Sequence, residues 1–122
     1  MNAKLEEFVK NLLMGTRTGA LKWTETPEPG VYRLMLDKGL VRIYRLGPMS
    51  VGQNFVGCTV LDAKGNVLND VQVPREDPER DHLVTLYDLV DGSFQQGALD
   101  DLLAEVRMKM EDRSRSSTAG QR

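Results

Sequence analysis

The sequence predicts an α+β fold: an antiparallel four- to five-stranded β-meander, with an N-terminal helix and two C-terminal helices packed mainly on one face. Three observations carry this expectation. Apolar residues recur at helical spacing near both ends of the chain, strand-like runs fill residues 31–73, and Asp/Gly turn sequences join those runs in pairs. Consecutive strands joined by short turns form a meander, and apolar-striped helices suffice to cover one of its faces.

The first helix is expected in NAKLEEFVKNLLMG, where Leu5, Phe8, Val9, Leu12 and Leu13 fall on one side. Asn2 offers a cap and Gly15 a stop. The segment TRTGALKWTETPEPG is too rich in Gly, Pro and Thr for a long element. Within it, Leu21 to Thr24 reads as a short edge strand, with Trp23 across the core margin. Val31 to Leu46 then reads as a hairpin turning at Asp37, Lys38 and Gly39. Both faces of this hairpin are partly apolar, which implies cover on one side and a partner, a ligand or long aliphatic stems on the other.

Phe55 to Leu61 and Val67 to Val73 supply the next two strands, separated by the stretch TVLDAKGNVLNDV. Its Asp62, Asn66, Asn69 and Asp70 suggest a calcium loop. Such a loop needs oxygen ligands at alternate positions, an internal Gly at the sixth, and a closing Glu between two helices. Counted from Asp62, the third position is the cationic Lys64, Gly65 comes at the fourth, and the flanks are strand-like. Gly65 in a left-handed conformation and an Asp62 side chain bonded to turn amides account for DAKGN as a turn. Asp77 and Pro78 then fit a helix start, with Leu83, Leu86, Tyr87, Leu89, Val90 and Phe94 at helical spacing. Gly92 lies inside that pattern, and Gly97 is expected to separate a last helix striped by Leu99, Leu102, Leu103, Val106 and Met110.

Composition narrows the function. The chain has 122 residues, enough for one ordinary domain with a real core. Residues 1–112 are expected as a single α+β domain and 113–122 as a disordered polar, basic tail. The protein carries 16 basic and 18 acidic residues; without the tail's three arginines, 13 bases face 18 acids, a net of −5. A body of that charge is poorly suited to a phosphate backbone, so no nucleic acid is expected as a partner. No basic start precedes an apolar run, and no apolar stretch approaches membrane-spanning length. A soluble, cytoplasmic protein with no membrane partner is the expectation.

Catalytic and metal chemistry are poorly provided for. His82 is the only histidine and Cys58 the only cysteine, too few for a zinc site without heavy use of carboxylates. No cofactor or metal is expected. A small hydrolase or transferase would have to pair Cys58 with His82; a weak ligand-binding domain is a further alternative. The preferred reading is a non-catalytic protein-interaction or regulatory module. Its candidate interface is Arg33, Met35, Arg42 and Tyr44, on the sheet face opposite the helices, and it would receive a protein partner or form a homodimer. Strand alternation pairs Arg33 with Met35 and Arg42 with Tyr44, but leaves the register between the two strands open.

In its helix, its short Trp-bearing segment, its hairpins and its C-terminal helices, the chain resembles small bacterial domains without assigned function. It also loosely resembles secretion chaperones, small acidic dimeric proteins that bind another protein's unfolded segment. That resemblance concerns size, charge and element types, and it transfers no residues.

Overall fold

The computed structural model describes residues 3–46, 54–76 and 81–120, with side chains through 112. Its elements are α1 (Ala3–Arg17), β1 (Thr24–Glu25), β2 (Tyr32–Leu36), β3 (Gly39–Leu46), β4 (Phe55–Asp62), β5 (Val67–Pro74) and α2 (His82–Gly120). The strands form one antiparallel five-stranded sheet in the order β1-β2-β3-β4-β5. The chain divides into two compact units, Met1–Asp91 and Gly92–Arg122.

The first unit holds the sheet, α1 and the opening turns of α2. Its core joins Leu5, Val9, Leu12 and Leu13 of α1 to Leu83, Val84, Leu86, Tyr87 and Val90 of α2. From the sheet it takes Tyr32, Leu34, Val41, Ile43, Val56 and Cys58. These strand residues alternate in sequence, as period-2 geometry requires of one face. The opening of α2 is also tied down by polar contacts. Tyr32 donates a hydrogen bond to Asp91 at 2.5 Å, Tyr87 donates to the Gly30 carbonyl at 2.6 Å, and Arg75 meets Asp88 at 2.8 and 3.3 Å.

Two helices are present among the described residues where three were expected. Gly92 and Gly97 both keep negative φ inside α2. An interior glycine costs a helix about 1 kcal/mol relative to alanine but does not by itself end it. No proline or left-handed residue follows either one to do so. The 113–122 segment is helical backbone as far as Gly120.

Helix ends also differ in detail from their expected positions. Residue Gly15 does not stop α1. Leu21 packs against it so closely that a β-carbon there would collide with the leucine side chain. The chain turns at Gly19, whose φ of 81° is left-handed, and Leu21 N–H bonds back to the Gly15 carbonyl. At the other end, the expected cap at Asp77 lies outside the described residues. Asp81 caps α2, accepting the Leu83 N–H at 2.9 Å. The edge strand β1 starts at Thr24 rather than Leu21, because Trp23 turns into the core and donates its indole N–H to Thr16 at 2.9 Å.

The Asp62 loop is a turn in full atomic detail. One carboxylate oxygen accepts the Lys64 and Asn66 backbone N–H groups, both at 2.9 Å, and the other accepts the Asn66 amide at 3.2 Å. Gly65 has φ of 87°. These donors, the Asn66 N–H foremost, hold the Asp62 carboxyl below its ordinary range. A depressed folded-state value contributes stability above the unfolded value, and that contribution is lost as pH falls through the folded one. Asp62→Ala should therefore lower Tm near neutral pH, and the gap from wild type should close as pH falls below about 4. Thermal melts across that range check this; a gap independent of pH would show that the carboxylate charge does not contribute, and no gap at any pH would assign the turn to Gly65 and backbone bonds alone.

Candidate functional site

The register that the sequence left open resolves as a direct alignment. Arg33 of β2 stands opposite Arg42 of β3, and Met35 stands opposite Leu40. The partners of these residues in the core, Tyr32, Leu34, Val41 and Ile43, project from the other side. Arg33, Met35, Arg42 and Tyr44 therefore share one face, the one turned away from α1.

Carried across the sheet by register, this open face consists of rows of different chemistry. Met35, Leu40, Leu61 and Val67 align as an apolar row, with Met35 and Val67 each at least 60 % exposed. The next row runs Thr24, Arg33, Arg42, Thr59 and Asp70. Beyond it lie Tyr44, Gly57 and Gln72. The sequence pointed to the hairpin's share of this surface only. Leu61, Thr59, Asp70 and Gln72 come from the second hairpin, and alternation within that hairpin, continued from Leu40 and Arg42, is the signal that finds them.

The polar half of the face is internally bonded on one side and open on the other. Asp70 accepts hydrogen bonds from Tyr44 at 2.9 Å and Thr59 at 3.0 Å, and Gln72 donates to the Tyr44 hydroxyl at 3.3 Å. The Tyr44 ring lies over Gly57, filling the space where a side chain would stand. Arg42 sits 5.9 Å from the centroid of that ring, a cation–π distance. Neither Arg33 nor Arg42 makes an ion pair among the described residues. Like charges directly opposed on neighbouring strands repel, so this pair leaves a positive field on exposed sheet surface.

Of the two residues the enzyme alternative needs, Cys58 is fully buried on the core face between Ile43 and Val71. Burial first, and the Asp70 charge second, push its thiol up to about 12. A nucleophilic cysteine needs the reverse, a thiolate stabilised by nearby positive charge. His82 instead lines a cleft with Ala3, Glu6, Glu7 and Lys10. Its Nδ1 is buried with no hydrogen-bond partner among the described residues, so no bond orients it toward Cys58. No group of three or more His, Cys, Asp and Glu among the described residues is placed to hold a metal ion. Nor is any described helix long and apolar enough to cross a membrane.

No family model, curated protein or solved structure matches the chain.

Proposed function

We propose that this protein is a non-catalytic interaction or regulatory module whose open sheet face receives an acidic, partly apolar segment of a protein partner. The observation that carries the reading is the opposed Arg33–Arg42 pair, exposed and without an ion pair among the described residues, beside the row of Met35, Leu40, Leu61 and Val67. A carboxylate lying between two guanidinium groups relieves their repulsion and accepts charge-assisted hydrogen bonds. Apolar side chains next to it would bury Met35 and its neighbours, and arginine and methionine are residue types enriched in interface cores.

Titration of the labelled full chain with a peptide alternating glutamate and leucine, followed by amide chemical shifts, tests this proposal. Shifts centred on Arg33, Met35, Leu40 and Arg42 are expected, weakening with added salt. They should disappear in Arg33→Glu/Arg42→Glu, which changes exposed residues and should leave the circular dichroism spectrum intact. Shifts that map elsewhere, or that survive the charge reversal, would sink the reading. Tyr44 is the wrong residue to mutate for this purpose, because its ring and hydroxyl hold the face together.

A further inference from the structure

The unit Gly92–Arg122 is a helical segment with an uncovered apolar stripe. Leu99, Leu102, Leu103, Val106 and Met110 are between 45 % and 66 % exposed. The buried positions of α2, Leu83, Val84, Leu86, Tyr87 and Val90, all belong to the first unit, so this stripe is a feature of the second unit by itself. A helix lacking a packed face is marginal in water, so the stripe calls for a partner of its own.

We propose that the partner is the same stripe of a second copy of this chain, paired antiparallel. Leu99, Leu103, Val106 and Met110 are spaced four, three and four residues apart, the alternation of a coiled-coil seam. With Leu103 and Met110 as a positions and Leu99 and Val106 as d positions, Asp100 and Arg107 occupy e positions, and Leu102 and Lys109 occupy g positions. Antiparallel pairing sets Leu103 against the second copy's Val106, and Leu99 against its Met110. It brings Asp100 of each copy to Arg107 of the other, twice by symmetry, and lays the Lys109 stem over Leu102. Parallel pairing instead sets Leu102 beside Arg107 and Gln95 beside Asp100, with no opposite-charge pair. Charges flanking the seam set orientation, and here they select the antiparallel one.

The seam between Leu99 and Met110 is only about 17 Å long at 1.5 Å per residue, so the dimer belongs to the weak class of interface. Sedimentation equilibrium of the full chain from about 10 µM to about 1 mM should show a monomer–dimer equilibrium. Leu103→Asp/Val106→Asp should weaken it by more than about a hundredfold, because each buried-seam position then carries a desolvated charge. Both residues are half exposed in the single chain, so unchanged chemical shifts of the sheet would show that the first unit is intact. Orientation is read by charge exchange. Asp100→Arg and Arg107→Asp should each weaken dimerisation by about three- to tenfold, and the double variant should restore it. A monomer throughout the range would overturn the proposal. So would a dimer unaffected by Leu103→Asp/Val106→Asp, and loss of that dimer in Arg33→Glu/Arg42→Glu would move self-association to the sheet face. Single charge variants without effect would overturn the antiparallel arrangement.

Discussion

Tyr87→Ala should destabilise the Met1–Asp91 unit by about 3–5 kcal/mol, the range for truncating a large buried aromatic residue, whereas Tyr87→Phe should cost about 1 kcal/mol. Tyr87 is 1 % exposed, and its ring lies 5.9 Å from that of Tyr32 at a tilt of 50°. Alanine removes the ring from between α2 and the sheet and leaves a cavity; phenylalanine keeps the packing and removes only the hydrogen bond to the Gly30 carbonyl. Gly30 has φ of 77°, and a β-carbon there would stand 3.2 Å from the Tyr87 hydroxyl, so this turn and this side chain are fitted to each other. Urea denaturation of the three proteins separates the contributions. Equal losses from both variants would assign the site's stability to the hydroxyl, not the ring.

Gly57→Ala should change sign with its neighbour. In the wild-type chain its new methyl group would enter the space filled by the Tyr44 ring. Displacing that ring also breaks the hydrogen bonds to Asp70 and from Gln72, and overpacking of this kind costs about 1–3 kcal/mol. In a Tyr44→Ala background the space is empty. There the same substitution should stabilise by about 0.5–1 kcal/mol, because glycine is poor in the middle of a strand. A four-protein cycle measured by urea denaturation gives the coupling directly. A Gly57→Ala cost that is the same in both backgrounds would show that Tyr44 does not set the requirement for glycine.

The elements were largely legible in the sequence because they depend on near neighbours. The stripe Leu5, Val9, Leu12 and Leu13 is a helix face wherever it packs, and Asp62 with Gly65 makes its turn from atoms within four residues. The candidate face was legible only as two pairs of residues. Whether Arg33 meets Arg42 depends on whether the turn spends two residues or three, and Gly39 looks like part of that turn. In the structure Gly39 is the first residue of β3, where the Leu61 carbonyl approaches too closely for a β-carbon. Its reason for being glycine lies 22 positions away in β4, beyond any local pattern.

Gly57 and Gly15 follow the same rule, answering to Tyr44 and Leu21 and not to a turn or a helix end. The sequence by itself determined the element types, the order of the meander and the chemistry of its second turn, since propensity, period and hydrogen bonding act over a few residues. The register, the joining of Arg33, Met35, Arg42 and Tyr44 into one face and the burial of Cys58 come only with the tertiary structure. Each of these is fixed by what another segment places against it, and side-chain packing between distant segments leaves no period in the chain.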